Sequence, residues 1–280
     1  MEKLKVLIPT DFSLQAEFAG QMAGKLSEWA DVELHYIHVI HLPSHISLSK
    51  DGSFISDGEM DVRDFNKYKH SAENHLQLLK ENNPGVETHI AYGGMKATVV
   101  KFAKQHHFDL ILIGTKGVYG LREKLTGSET QHIVRRSEVP VMSLMCDRSD
   151  VAIRNVLFVH DFSSNEKHNI GILKLILTAT KAKLHLLFVA RKESDQQIEE
   201  VKVRMKKFAE IFGHSDFEIH IHKDRNLVHG VTHFNQMKEM DMVCIGTHGR
   251  KGINQVVYSS PVEKLVNHLF KPILTYHLES

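Results

Sequence analysis

The chain repeats itself, and that repeat limits its fold more than any other feature. "KVLIPTDFS" (5–13) matches "NVLFVHDFS" (155–163), and "ELHYIHVI" (33–40) matches "KLHLLFVA" (183–190). Further along, "ETHIAY" (87–92) matches "EIHIHK" (218–223), and "DLILIGTKGVYG" (109–120) matches "DMVCIGTHGRKG" (241–252). The last pair is "EVPVMSL" (138–144) and "FKPILTY" (270–276). A unit that recurs once in 280 residues implies two similar domains rather than one large core. The boundary falls near "CDRSDVAI" (146–153), which gives domains 1–147 and 151–280. The extra residues of the first half are "HLPSHISLSKDGSFISDGEM" (41–60), a polar stretch expected to be a long loop.

Within each half, short continuous apolar runs alternate with amphipathic segments. Such runs fit strands covered on both faces. The segment "SDQQIEEVKVRMKKFAEIFG" opens with Ser194 three residues before Gln197, a capping box, and closes on Gly213. Its Ile198, Val201, Met205, Phe208 and Phe212 form one helical stripe. Val62, Phe65, Ala72, Leu76 and Leu79 form the corresponding stripe in the first half. Alternating strands and helices predict an α/β fold with a parallel sheet and helices on both faces. In such sheets ligands bind beyond the C-terminal strand ends, where the strand order reverses.

Net charge is +1, so no broad basic face argues for nucleic acid. No apolar run is long enough to span a membrane, and the N-terminus lacks the pattern of a signal peptide. Cys146 and Cys244 make no disulfide framework; each sits in a strand-like run and reads as a small buried hydrophobe. These features together predict a cytoplasmic protein. Histidine is abundant, 21 residues in all, with His38, His41 and His45 near the end of the second strand. His220 and His222 share one face of a strand. No local Cys/His motif supplies three or four converging ligands, so no metal site built from histidines is expected. No nucleophile–base arrangement recurs in both halves, so the chain does not read as an enzyme.

The stretch "GTKGVYGLREKLTGS" (114–128) leaves a strand and enters a helix through Gly-Ser. It carries the spacing Gly114-x2-Gly117-x9-Gly127-Ser128. Glycines there allow close backbone approach, and the following helix aims unpaired N–H groups at the same place. A cradle for an anion and an ordinary strand-to-helix loop both fit. Ser128-x-x-Gln131 is itself a capping box, so Ser128 has a purely structural reading as well. Asp11, repeated as Asp161, fits either a ligand contact or a helix-dipole partner. Lys116, Arg122 and Lys124 are within reach of phosphates, although loop cations are usually solvated.

These residues resemble the universal stress protein family, here as two such domains in tandem. The likeness rests on "IPTDFS" and "FVHDFS", on "IGTKG" and "IGTHG", and on the closing "VPVMSL" and "KPILTY". It implies two flavodoxin-like domains, each a five-stranded parallel sheet in the order 3-2-1-4-5. The glycine spacing is the signature of the ATP-binding branch. By that resemblance, Pro9, Thr10 and Asp11 would face the adenosine, and the backbone of Val39 the adenine. Gly114, Gly117, Gly127, Ser128, Glu129 and Thr130 would line ribose and phosphates, with Mg²⁺ as the usual companion ion. Glu129 departs from the pattern, because a small apolar residue is common there. An acid beside phosphates repels them unless a metal lies between, which makes Glu129 the one candidate protein contact to Mg²⁺.

The second half reads as degenerate. Its matching stretch is Gly246-x2-Gly249-x9-Ser259-Ser260, so the third glycine has become Ser259. Pro261 removes one amide donor, and Ser260 with Glu263 forms a capping box that adds negative charge at the helix start. Val159 and His160 replace Pro9 and Thr10. The expectation is one nucleotide site, in the first domain, of a stress-response or signalling module. A nucleotide-independent scaffold and a slow ATP hydrolase are the alternatives. The closing strands are expected to pair the two domains edge to edge within the chain, with a homodimer left open.

Overall fold

The computed structural model describes residues 3–42, 46–49, 54–56, 59–115, 127–162, 167–168, 170–248, 262–266 and 269–279. In the first half, β1 (Leu4–Pro9) leads to α1 (Leu14–Ser27) and β2 (Val32–Ile40). A small hairpin follows, β3 (Ile46–Leu48) with β4 (Phe54–Ser56), and then α2 (Glu59–Asn82). The half continues with β5 (Glu87–Tyr92), α3 (Met95–Gln105), β6 (Leu110–Gly114), α4 (Gly127–Arg136) and β7 (Val141–Leu144). The second half holds β8 (Asn155–Val159), β9 (Lys167–His168), α5 (Gly171–Thr180), β10 (Lys183–Ala190) and α6 (Asp195–Phe212). It ends with β11 (Phe217–Lys223), α7 (Leu227–Met237), β12 (Met242–His248), a helical stretch at 262–266, and β13 (Ile273–Glu279).

The helix boundaries follow from local chemistry. At α6 the Ser194 side chain accepts from the Gln197 amide, and the Gln197 side chain accepts from the Ser194 amide. The helix stops at Gly213, in the left-handed region at φ 76°, a conformation that costs glycine no Cβ clash. Ser13 caps α1 and Asn226 caps α7 in the same manner, each accepting an amide three residues on. The stripe Ile198, Val201, Met205 and Phe212 is buried, as are Phe65, Ala72 and Leu76 on α2.

Each half has the expected order, β5-β2-β1-β6-β7 and β11-β10-β8-β12-β13. The expectation of two separate five-stranded sheets does not hold. β7 pairs β13 antiparallel, Ile273 opposite Ser143 and Thr275 opposite Val141, so one continuous sheet of 11 strands crosses the molecule. β9 extends the same edge by pairing Leu278 with His168. The physical reason is the open edge. Each half would leave a strand with unpaired amides and carbonyls, and joining the two satisfies both. The seam is dry: Val141, Met142, Leu144, Ile273, Leu274 and Tyr276 are all buried. Thr275 Oγ1 donates to the Val141 carbonyl at 3.1 Å, and the Arg148 guanidinium donates to the Phe270 carbonyl at 2.8 Å.

One core therefore covers each face of the sheet through both halves. On one side α1 packs Met22 and Leu26 in the same cluster as Ile176 and Met205 of α5 and α6. On the other, Val99 of α3 and Ile133 of α4 join Val231, Phe234 and Leu265. Burying each such side chain is worth about 1.5–3 kcal/mol. Two local expectations need correction. The stretch 41–60 contains the β3–β4 hairpin, whose three-residue strands are too short to announce themselves. Cys146 lies just past β7 and is only partly buried, whereas Cys244 is fully buried and its thiol pKa is pushed well up by that burial. Glu263 lies 3.6 Å from Arg135 of α4, an ion pair across the two halves. Its pKa is raised by burial despite that cation.

Candidate functional site

The strand order reverses between β1 and β6, and a cleft of about 250 Å³ opens there at their C-terminal ends. Seven of the expected residues line it: Pro9, Thr10, Asp11, Val39, Gly114, Glu129 and Thr130. Gly127 and Ser128 begin α4, but their side chains lie outside the described residues, as does Gly117 altogether. Lys116, Arg122 and Lys124 also lie outside them.

The floor is built by the β1 end. Thr10 is buried; its amide donates to the Ile37 carbonyl at 2.9 Å, and its Oγ1 accepts from the Phe12 amide at 3.0 Å. That turn forces Phe12 into the left-handed region, at φ 61°. Asp11 accepts the Ser13 amide at 3.0 Å, just ahead of the α1 cap, so it already serves the helix start. Its carboxylate is nonetheless exposed to the cleft.

His38 is the lining residue that sequence reasoning passed over. It is buried, and its Nδ1 lies 2.8 Å from the Thr10 carbonyl oxygen. A carbonyl only accepts, so Nδ1 carries the proton and Nε2 is left as the acceptor of the neutral ring. The Tyr68 hydroxyl approaches that Nε2 at 3.5 Å. Phe12 stacks on His38 at 4.7 Å and on His75 at 4.9 Å, which holds the imidazole upright at the cleft wall. The signal for His38 was available in its position, one residue before Val39.

Gly114 has a reason of its own. A Cβ there would stand 1.8 Å from the Gln15 carbonyl oxygen and 3.0 Å from the Ala16 amide nitrogen. The missing side chain is used by the backbone of α1, which lies directly on the end of β6. The glycine therefore secures helix packing as well as lining the cleft. Next to it Thr115 is buried, with its amide bonded to the Leu144 carbonyl at 2.7 Å. Its hydroxyl, buried and lining the cleft, has no hydrogen-bond partner among the described residues. Such a group normally finds one, because leaving it bare costs about 1–3 kcal/mol. Glu129, half-buried, and Thr130, buried, come from the first turn of α4 on the opposite wall.

The second half is arranged differently at the matching place. Val159 and His160 are buried, and His160 Nδ1 accepts from the Phe162 amide at 2.8 Å. Phe208 stacks on Phe158 at 4.9 Å and meets Phe162 edge-on at 5.6 Å. Phe208 of α6 thus meets Phe162 edge-on, whereas His75 of α2 stacks on Phe12. Gly249, Ser259, Ser260 and Pro261 lie outside the described residues.

Lower on the sheet, both halves carry a matched histidine pair. His35 donates through Nε2 to Glu33 at 2.7 Å, and its Nδ1 faces His89 Nε2 at 2.9 Å. His185 donates through Nε2 to Asn155 Oδ1 at 3.0 Å, and its Nδ1 faces His220 Nε2 at 3.0 Å. In each chain of bonds the second ring donates to the first, so both imidazoles are satisfied while neutral. Desolvation, reinforced by the Lys238 charge, lowers His220 to about 4, and desolvation lowers His185 and His89 as well.

The model of the universal stress protein family matches this chain twice, over residues 4–144 and 152–277. The chain belongs to the universal stress protein family. Two universal stress proteins of Methanocaldococcus jannaschii are 27% identical over 142 residues and 28% identical over 152. Each alignment covers 49% of this chain, and 79% and 92% of the relative. A universal stress protein of Archaeoglobus fulgidus has the same fold along its whole length, with a TM-score of 0.74 at 17% identity and 99% of both chains covered. Two matches along one polypeptide are consistent with two universal stress protein domains in tandem. Their closing strands pair with each other inside the chain.

Proposed function

We propose that this universal stress protein binds one adenine nucleotide, ATP with Mg²⁺, in the first-half cleft and acts as a cytoplasmic stress-response or signalling module. The observation that carries the reading is the composition of the cleft. It sits at the strand-order switch point, faces the first turn of α4, and holds a buried Thr115 hydroxyl without a partner. A helix N-terminus favours phosphate through its free amides and dipole. The strand-end side suits a nucleoside: the Val39 backbone for the base, Thr10 and Asp11 for the sugar, and the half-exposed Tyr68 ring at the rim. The carboxylates of Asp11 and Glu129 line the same space, so the donor set fits a hard divalent ion held between them and phosphate oxygens. When bound, the ion would neutralise phosphate charge that Glu129 would otherwise repel.

We assign binding rather than turnover; Asp11, His38 and Glu129 line the cleft, so slow ATP hydrolysis is the alternative to be tested. The nucleotide-independent scaffold is the reading to be excluded. Mass spectrometry of ligand released on denaturing the purified protein should detect an adenine nucleotide. Calorimetry with Mg-ATP should give a stoichiometry near one per chain. Two equivalent sites, or no heat with and without Mg²⁺, would refute the assignment. The edges β7 and β13 are used within the chain, so any homodimer is assigned to another surface.

A further inference from the structure

The second half carries a group of ligand-type side chains with no counterpart in the first. His222 is the second-last residue of β11, Asp224 follows the end of the strand, and His233 stands in the middle of α7. One ligand atom from each lies within 4.8 Å of the others. His233 Nδ1 is 2.8 Å from Asp224 Oδ2, and His222 Nε2 is 3.7 Å from the same oxygen. The two imidazoles meet nearly at right angles, 80°, with ring centroids 6.4 Å apart, so they are not stacked.

Three features separate this group from a chance meeting. First, His222 Nε2 is buried and has no hydrogen-bond partner among the described residues, although its natural acceptor sits just beyond bonding distance. Second, the carboxylate is already oriented. The Arg225 amide donates to Asp224 Oδ1 at 2.7 Å, which leaves Oδ2 to face both rings. The Asp224 amide is in turn tied to the Ala190 carbonyl at 3.0 Å. Such outer contacts are what hold a ligating carboxylate in place. Third, the residues are particular to this half. Val189 pairs with His222 where the first half pairs Val39 with Ala91, and Gly93 stands at the place of Asp224.

The nearby group His185, Glu218 and His220 meets the same distance criterion but is already satisfied. Lys183 and Lys238 hold the Glu218 carboxylate at 2.8 and 3.4 Å, and both rings are bonded within the neutral chain described above.

We infer that His222, Asp224 and His233 form a binding site for a zinc-type divalent cation, joining the end of β11 to α7. Zinc takes imidazole nitrogen and carboxylate oxygen at about 2.0–2.2 Å in a tetrahedron, which sets ligand atoms roughly 3.3 Å apart. The two distances to Asp224 Oδ2, 2.8 and 3.7 Å, lie within about 0.5 Å of that spacing, and the two ring nitrogens lie within 4.8 Å of each other. Three protein ligands leave a fourth position open. The half-exposed His233 places that position toward solvent, where water or an outside ligand completes the shell.

Full-length protein freed of metal with EDTA should be titrated with Zn²⁺ against a chromophoric chelator, and separately with Co²⁺ while the visible spectrum is followed. The expected result is one tight equivalent that millimolar Mg²⁺ does not displace, with a tetrahedral Co²⁺ band. His233→Gln and His222→Gln should each weaken Zn²⁺ by more than about tenfold and abolish the band. His233 is half exposed, so its replacement leaves the fold intact; thermal melts in EDTA check this. His70→Gln on α2 serves as the control for loose surface binding and should change nothing. Absence of a tight equivalent in the wild type would overturn the proposal, as would equal affinity in the wild type and both site variants.

Discussion

The same strand end is built twice in this molecule, and the two versions differ in what fills them. In the first half Pro9 and Thr10 end β1, and His38, Tyr68 and Thr115 surround an open cleft. In the second, Val159 ends β8 with His160 after it, Phe208 stacks on Phe158, and Phe162 meets both rings at an angle. The backbone plan is shared: Phe162 adopts φ 54° where Phe12 adopts 61°. Aromatic pairs of this kind are worth about 0.5–1.5 kcal/mol each beyond their burial. A repeated fold can thus keep its turns while the side chains around the strand end change, lining a cleft in the first half and forming an aromatic cluster in the second.

The largest test of that contrast is Gly114→Ala. The new methyl would overlap the Gln15 carbonyl, so α1 must move away from β6. Overpacking of this kind costs about 3 kcal/mol. At about 2–4 °C per kcal/mol, the melting temperature should fall by roughly 6–12 °C. Nucleotide binding should go with it, because Ser13, Gln15 and Ala16 line the cleft. An unaltered melt would mean that α1 does not rest on this glycine.

Gly127→Val should separate binding from folding. It should abolish Mg-ATP binding in titration calorimetry while the melt without nucleotide stays near wild type, because the branched side chain occupies the anion's approach. Ser259→Val in the second half should leave affinity unchanged. If ATP still stabilises both variants to the wild-type extent, the phosphate cradle lies elsewhere.

The matched histidine pairs give a pH test. His220 titrates near 4 when folded and near its ordinary 6.5 when unfolded. Between those values the unfolded chain binds more protons, so stability rises with pH. The contribution is complete above about 6.5 and is lost as pH falls toward 4. Melts at pH 7 and pH 5 should show the drop, and His220→Gln should reduce it without removing it, because His89 and His185 shift in the same direction. Identical slopes in wild type and variant would remove His220 from the account.

The smallest expected effect is at Thr115→Val. Losing one neutral hydrogen bond should weaken nucleotide affinity by about 3–10-fold, the equivalent of 0.5–1.5 kcal/mol. The nucleotide-free melt should stay level or rise slightly, because an unpaired buried hydroxyl disappears. A variant that binds as well as the wild type would show that the hydroxyl does not meet the ligand.

Much of this was readable in one dimension because its causes are local. The capping box at Ser194 and Gln197 and the left-handed Gly213 involve neighbours in the chain. So do the buried stripes of α2 and α6, set by helical periodicity. The order within each half follows from alternating elements and the handedness of parallel crossovers. The general place of the cleft was legible because a doubly wound sheet gathers ligands at its strand ends, and the seven lining residues were named through the family resemblance. His38 and Thr115 were missed because their importance lies in what faces them, a carbonyl 28 residues away and an empty space.

By itself, then, the sequence determined two α/β units with their strands, helices, caps and a glycine-marked strand end. These depend on residues within a few positions of one another. The tertiary structure alone decided the rest. It merged the sheets at β7 and β13, where two satisfied edges are more stable than two open ones. It assigned Gly114 to the backbone of α1, a contact with Gln15 far back in the chain. It also brought His222, Asp224 and His233 to one point. Convergence of side chains from a strand end and a helix depends on how those elements pack, and no spacing along the chain records it.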